Sequence, residues 1–218
     1  MEHSGALQLY GNASVSYTID AMVRTDVELM LQVKAGDDES FNLLLQKYRT
    51  PLVNFLFRMV KEKATAEDLA QEVFLRVYRA RKQYSPSAKF TTWMFRIATN
   101  LALNSVRDNR HRQTDVSIDV PLEEDEKPVQ LPTREMRIDE HMIERDRSEF
   151  IRRTIQALPE KQRVAVLLHK YEEMDYAEIA KILDCSESAL KSLLFRAYET
   201  LRVQLAPLVG QRSGEGRQ

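Results

Sequence analysis

The single tryptophan of the chain lies in a helical stretch whose polar side has the residue types that bind single-stranded DNA. The stretch is KFTTWMFRIATNLALNSVRDNRHR, residues 89–112, and helical spacing gives it two faces. The polar face and its flank consist of Trp93, Arg96, Asn100, Leu103, Arg107 and Arg110. Aromatic rings stack on unpaired bases, cations bind phosphates and amides bind base edges. The alternative is that Trp93 packs in the core, with the inner face formed by Met94, Ile97, Ala98, Leu101 and Ser105.

A second aromatic ring on a basic face occurs in DYAEIAKILDCSESALKSLLFRAYETLR, residues 175–202. Two helical patterns are separated here by a short polar turn, Asp184-Cys185-Ser186. The first pattern has an apolar side made of Ala177, Ile179, Ala180, Ile182 and Leu183. The second has a core stripe of Leu190, Leu194, Ala197 and Leu201. Its opposite face carries Ser188, Lys191, Ser192, Phe195, Arg196, Glu199 and Arg202, so a ring is predicted to lie in water among cations.

A third face suits docking onto another protein. In AEDLAQEVFLRVYRA, residues 66–80, the predicted buried face consists of Leu69, Ala70, Val73, Phe74 and Val77. The opposite side has one apolar residue, Leu75, surrounded by Asp68, Gln71, Glu72 and Arg79. Single exposed leucines are common, so a solvated face is the alternative.

Signatures of catalysis, cofactors and metals are absent from the sequence. The six glycines form no phosphate-binding loop, and the four histidines are scattered. Glu67 and Asp68 are adjacent rather than facing each other, which favours a role at a helix start over acid/base chemistry. One cysteine excludes a disulfide framework, and no transmembrane or secretory segment is evident. We therefore expect a cytoplasmic protein that is not an enzyme and needs no cofactor.

The net charge of −1 hides a segregated distribution of charges. Residues 89–112 are basic apart from Asp108, whereas the acids of residues 115–126 have no base among them. Solvated surface is the ordinary explanation of either run alone. Together the two runs indicate basic faces separated by an acidic segment.

Helical periodicity and the absence of strand patterns predict an all-α protein with two small helical domains joined by a flexible acidic linker. Four helices are expected in the first domain, at about 26–35, 38–60, 65–82 and 91–110, with Pro51 kinking the second. The predicted divisions are an N-terminal extension at 1–25, a first domain at 26–112, a linker at 113–137, a second domain at 138–205 and a tail at 206–218.

Three blocks together resemble a known family. AEDLAQEVFLRVY, FTTWMFRIATNLALNSVR and LPEKQRVAVLLHKYEEMDYAEIAKILDCSESALKSLLFRAYETLR are similar, in order and spacing, to bacterial RNA polymerase sigma factors of the extracytoplasmic-function (ECF) group. The resemblance covers about residues 26–112 and 138–205 and implies sigma regions 2 and 4. It therefore implies a protein that binds core RNA polymerase and directs promoter recognition, DNA melting and transcription initiation.

The resemblance also implies roles for the three faces. Docking onto the clamp coiled coil of the polymerase β′ subunit falls to Asp68, Gln71, Glu72 and Leu75. Recognition and melting of the minus-10 element fall to Trp93, Arg96, Asn100, Arg107 and Arg110, and the loop 84–90 corresponds to one that captures a flipped base. Major-groove contacts at the minus-35 element fall to Ser188, Lys191, Ser192, Phe195 and Arg196. Further implied partners are the β flap for region 4, an anti-sigma factor, and the polymerase cleft for the acidic linker.

This sequence departs from the family pattern at the helix-turn-helix. Leu193 replaces a common arginine, and Ser188-Ala189 replaces a frequent Gly-Thr, so the DNA sequence read is expected to differ. Asp184 replaces a frequent glycine, and aspartate tolerates the left-handed conformation that a tight turn requires. Cys185 is interpreted as a small turn residue rather than a redox sensor.

Two other classes of protein remain as alternatives at this point. A stand-alone helix-turn-helix regulator that binds duplex DNA explains residues 175–202 equally well, but not the faces around Trp93 and Leu75. A helical adaptor protein needs neither basic face. Binding to core polymerase discriminates among the three.

Overall fold

The structure is a computed structural model that describes residues 24–115 and 138–210, with side chains at 24–110 and 145–208. The described residues are helical, and they contain no strand. Most of the predicted N-terminal extension, the acidic linker from residue 116 and the tail from residue 211 lie outside them. The predicted all-α class is confirmed.

Eight α-helices and one 3₁₀ turn make up the described chain. They are α1 (Asp26–Ala35), α2 (Asp38–Val60), α3 (Lys63–Arg79), the 3₁₀ turn Arg81–Gln83, α4 (Phe90–Asp115), α5 (Ile138–Gln156), α6 (Glu160–Lys170), α7 (Tyr176–Leu183) and α8 (Glu187–Gly210). α2 continues through Pro51. α4 and α8 extend beyond the predicted ends at residues 110 and 205.

The chain divides into two compact units. The first comprises residues 1–57 and 62–99, and the second comprises residues 58–61 and 100–218. α4 therefore begins in the first unit and ends in the second. The domain boundaries proposed from the sequence stay predictions.

Local signals fix the start and end of α1. The Thr25 hydroxyl accepts a bond from the amide of Glu28 at 3.3 Å, and the Glu28 carboxylate accepts one from the Thr25 amide at 2.7 Å. These reciprocal bonds satisfy two amides that the helix leaves unpaired. The helix ends at Gly36, whose φ of 106° suits glycine.

The core of the first unit confirms most of the buried face predicted for α3 and corrects that of α4. Ala70, Val73, Phe74 and Val77 are buried as predicted, whereas Leu69 is half-buried. In α4 the buried residues are Phe90, Thr92, Met94, Phe95, Ala98, Thr99 and Ala102. Ile97, Leu101 and Ser105, which were predicted to lie inside, are half-buried.

Packing against α2 explains the correction in α4. The Phe95 ring meets the Phe55 ring edge to face, with the ring centroids 5.3 Å apart. The periodicity of α4 alone fits either choice of inner face, and this aromatic pair turns the helix so that Phe95 and Thr99 face the core.

The helix-turn-helix of the second unit forms as predicted. Leu190, Leu194, Ala197 and Leu201 are all buried on α8. In α7 the predicted apolar side is buried except for Ala177, which is exposed. The adjacent Glu178 is buried instead, because it caps α7 through the Asp175 amide at 3.3 Å.

Candidate nucleic-acid and protein-docking faces

Trp93 lies partly in the core and partly at the surface of the first unit. Its ring is half-buried, 5.4 Å from the Tyr84 ring and 6.2 Å from the Phe90 ring, measured between centroids. Arg96 and Asn100, one and two turns further along α4, are exposed. Both alternatives for Trp93 are therefore partly realised: aromatic neighbours hold the ring while part of it stays accessible.

The cations of this face differ in their partners. Arg96 and Arg107 are exposed, and neither forms an ion pair within the side chains that the structure describes. Arg110 instead pairs with Glu160 of the second unit, with 3.0 Å between its Nη2 and the carboxylate Oε1. Arg96 and Arg107 thus have charges available for an anionic partner, while the charge of Arg110 is already engaged.

Sequence periodicity did not identify Tyr84 as a neighbour of Trp93. Tyr84 precedes α4, in a loop where helical spacing carries no information, and its side chain is buried. Its carbonyl accepts a bond of 2.7 Å from the ammonium of Lys34, which anchors the loop to α1. The spacing of Phe90 and Trp93, by contrast, could have predicted their contact.

The predicted docking face of α3 is present. Leu75 is 48% exposed and is surrounded by exposed Asp68 and Gln71. Glu72 is half-buried and bonded to Arg76, one turn along the helix, with 2.6 Å between its Oε1 and the Arg76 Nε. This bond lowers the pKa of the Glu72 carboxyl, so the group is held in its charged form.

Two local features position α8 relative to α7. Asp184 ends α7 in the left-handed region, with φ 52° and ψ 55°, as the sequence predicted. The Ser186 hydroxyl then accepts a bond of 3.1 Å from the Ala189 amide and caps the start of α8. Between these two residues lies Cys185, a half-buried free cysteine. Its amide bonds to the Ala180 carbonyl at 3.0 Å, which is consistent with a role in the turn.

The outer face of α8 combines an exposed ring with unpaired cations. Phe195 is 68% exposed. A shallow cleft beside it is lined by Lys191, Ser192, Phe195 and Arg196. No ion pair of Lys191 or Arg196 occurs among the described side chains, whereas Arg202 is bonded to Glu199 at 3.0 Å. Ser188 is exposed as well, so all five residues predicted for this face lie at the surface.

The hydroxyl of Ser192 has a defined partner on its own helix. It donates a bond of 3.1 Å to the carbonyl of Ser188. In this arrangement the oxygen lone pairs remain available, so Ser192 can accept a bond from a base amino group.

The described residues contain no group of three or more His, Cys, Asp or Glu that could hold a metal ion. Within the same parts of the chain, every helix is too short or too polar to cross a membrane.

Family models match both parts of the chain. Residues 44–112 match Sigma-70 region 2, and residues 149–201 match Sigma-70 region 4. The first match contains the faces around Trp93 and Leu75, and the second contains the helix-turn-helix.

Curated relatives match nearly the whole chain. The RNA polymerase sigma-H factor of Pseudomonas aeruginosa is 34% identical over 192 residues, which is 84% of this chain and 95% of that protein. The ECF RNA polymerase sigma-E factor of Escherichia coli K12 is 31% identical over 186 residues, or 85% of this chain and 96% of that protein.

Solved structures share the fold. The sigma factor RpoE of Bartonella quintana, in complex with the anti-sigma factor NepR, aligns with a TM-score of 0.62 at 19% identity, covering 77% of this chain and 98% of that one. CnrH, in complex with the cytosolic domain of CnrY, aligns with a TM-score of 0.60 at 19% identity, covering 82% and 96%.

Proposed function

This chain belongs to the extracytoplasmic-function group of sigma-70 factors, and from that premise we propose how its surfaces divide the work of transcription initiation. Sigma factors are not enzymes; as one of them, the chain binds core RNA polymerase and promoter DNA. The stand-alone regulator is not favoured, because that class does not account for a region 2 match. The residue assignments below are proposals.

The observation that carries the proposal is the presence, in one chain, of two faces that combine an accessible aromatic ring with unpaired cations. Trp93 and Arg96 form one in the first unit, and Phe195 and Arg196 form the other in the second. Both ring types contact bases, while the cations neutralise phosphates. Two such faces suit a protein that reads two promoter elements.

The face around Trp93 recognises and melts the minus-10 element. Unstacking a base costs roughly a few kcal/mol, and stacking on an aromatic ring returns about 1–3 kcal/mol per base. Trp93 provides the ring, Asn100 binds a base edge, and Arg96 and Arg107 bind the backbone. Strand separation is then driven by binding, without hydrolysis of a nucleotide.

Arg110 has a different part in this proposal. Because it is paired with Glu160, it has to exchange that carboxylate for a phosphate when DNA binds. An exposed ion pair contributes about 0–1 kcal/mol, so the exchange costs little.

The outer face of α8 reads the minus-35 element as double-stranded DNA. Lys191 and Arg196 bind guanine edges or phosphates, and Phe195 contacts a thymine methyl. Ser188 and Ser192 provide small polar contacts at the start of the helix. The capped turn at Asp184 and Ser186 fixes the angle at which this helix enters the major groove.

The α3 face binds the clamp coiled coil of the polymerase β′ subunit. Asp68, Gln71 and Glu72 form polar contacts around Leu75, which provides the apolar contact at the centre. The second unit binds the β flap.

An anti-sigma factor is the proposed negative regulator, because two proteins of the same fold are found in complex with partners of that kind or with a cytosolic partner domain. We place the protein in the cytoplasm, where core polymerase and the chromosome are located.

Reconstitution with purified core polymerase tests this function. The full chain is expected to bind core enzyme in a one-to-one complex and to direct run-off transcripts from a subset of a genomic promoter library. Core enzyme without the chain provides the background. Binding to duplex DNA without binding to core enzyme would support a stand-alone regulator instead.

A further inference from the structure

Tyr84 has a buried hydroxyl group that lacks a hydrogen-bond partner. The residue is 4% exposed, and its hydroxyl oxygen is bonded to none of the residues that the structure describes. Burial raises the pKa of this phenol, and the charge of Asp26 contributes further, so the hydroxyl stays protonated. It can therefore donate a bond as well as accept one.

Another tyrosine of the same aromatic group shows the usual arrangement. Tyr48 is 8% exposed, its ring lies 5.6 Å from the Phe90 ring, and its hydroxyl donates to the Asp26 carboxylate. Phe90 in turn contacts Trp93, and Trp93 contacts Tyr84. One tyrosine hydroxyl in this group thus has a partner inside the protein, and the other has none.

An unpaired buried hydroxyl costs free energy that phenylalanine would avoid at the same position. Such departures from a well-satisfied core are expected where a ligand completes the bonding. The hydroxyl of Tyr84 therefore points to a partner that arrives when the protein acts.

The position of Tyr84 limits what that partner can be. Its ring lies against Trp93, the proposed stacking platform, and its backbone is held by Lys34. It begins the loop that leads into α4. In that loop Ser85, Pro86, Ser87 and Lys89 are exposed and Ala88 is half-buried, so the cover over Tyr84 on this side is a single exposed segment.

We propose that the hydroxyl of Tyr84 determines base specificity at the minus-10 element, by forming a hydrogen bond with the polar edge of the unpaired base that lies against Trp93. This inference rests on the proposed role of the Trp93 face. The ligand is a nucleobase of single-stranded promoter DNA. The protonated phenol donates to a ring nitrogen or carbonyl oxygen of that base, and its oxygen accepts from an exocyclic amine.

The test compares Tyr84→Phe with Tyr48→Phe in holoenzyme formed from the full chain and core polymerase. Templates carry a pre-opened minus-10 element in which each single-stranded position in turn has one of the four bases or an abasic site. The measured quantity is the half-life of competitor-resistant complexes.

Wild-type holoenzyme is expected to prefer one base at one position. Tyr84→Phe should shorten the half-life about 2- to 10-fold on that preferred base, the range for one neutral hydrogen bond, and have no effect on the abasic template. Tyr48→Phe should affect all five templates by the same factor, because its hydroxyl is bonded inside the protein.

Thermal unfolding separates a ligand-binding hydroxyl from a structural one. Tyr84→Phe should leave the Tm unchanged or raise it, while Tyr48→Phe should lower it. A Tm loss for Tyr84→Phe as large as that for Tyr48→Phe would overturn the inference. So would a Tyr84→Phe holoenzyme that keeps the wild-type ranking of the four bases. If wild-type holoenzyme itself has no base preference at any position, the proposed role of the Trp93 face fails as well.

Discussion

At the scale of single residues, Trp93 shows how one side chain contributes to both the core and a binding face. Tyr84 and Phe90 hold its ring, yet part of the ring stays accessible beside exposed Arg96. A rigid, partly exposed ring loses little conformational entropy when a base stacks on it. Phe195 follows a different pattern, since most of its surface is in water and only the helix beneath it is held by the core.

One buried carboxyl group makes the stability of the second unit depend on pH. Burial raises the pKa of Glu172 to about 7, and the nearby charge of Arg58 opposes that rise. The unfolded value is about 4.3, so the stabilising contribution is complete below that pH and is lost as the pH rises through about 7.

We predict that Glu172→Gln raises the Tm at pH 8 and has little effect at pH 5, because the neutral amide removes the cost of ionising a buried group. After discounting for screening at this half-buried site, the gain at pH 8 is about 1–2 kcal/mol. Thermal unfolding across this pH range measures it. The exposed neighbour Glu173 provides the control as Glu173→Gln, and an equal effect of both variants would contradict the assignment.

At the scale of elements, α3 separates its two functions by face. Ala70, Val73 and Val77 hold the helix in the core, while Asp68 and Leu75 lie on the exposed side. A change on the exposed side can therefore remove binding without unfolding the protein.

Reversing one charge on this helix should abolish or strongly weaken binding to core polymerase if the charge lies on the docking face. Asp68→Arg is the test and Glu67→Arg the control, because both residues are exposed and adjacent and only Asp68 shares the face of Leu75. Affinity for core polymerase is the measurement, with circular dichroism as the check on folding. Equal affinities for the two variants would show that the docking face lies elsewhere.

The turn between α7 and α8 depends on a residue that tolerates the left-handed region. Asp184→Val should destabilise the second unit by about 1–2 kcal/mol in urea unfolding, because a β-branched side chain is strained at φ 52°. Asp184→Asn should be nearly neutral. A stable Asp184→Val protein that still binds the minus-35 element would contradict this account of the turn.

Periodicity in the sequence was enough to predict elements whose buried stripe is strongly apolar. The stripe of α8 from Leu190 to Leu201 left one orientation possible, and the exposure of Phe195 followed from it. The inner face of α4 was less determined, because apolar residues occur on several sides, and contact with Phe55 decided it. The partner of Trp93 in the loop, Tyr84, depends on tertiary packing that no local pattern encodes.

At the scale of the whole molecule, the two compact units carry separate DNA-binding faces. The first unit carries Trp93, proposed to melt one promoter element, and the second carries Arg196, proposed to read another as duplex DNA. Loss of either residue is expected to cost a similar amount, about 1–3 kcal/mol. The size of a defect therefore does not distinguish the two roles, whereas the state of the DNA does.

The most direct test of this division compares Trp93→Ala and Arg196→Ala holoenzymes on closed duplex promoter and on the same promoter with the minus-10 element already open. Both variants should initiate poorly on the closed duplex. The open bubble should largely restore initiation by Trp93→Ala, whose defect is in melting, and leave the Arg196→Ala defect in place. Circular dichroism checks that both proteins are folded. Equal rescue of the two variants by the bubble, or an unfolded Trp93→Ala protein, would contradict the account.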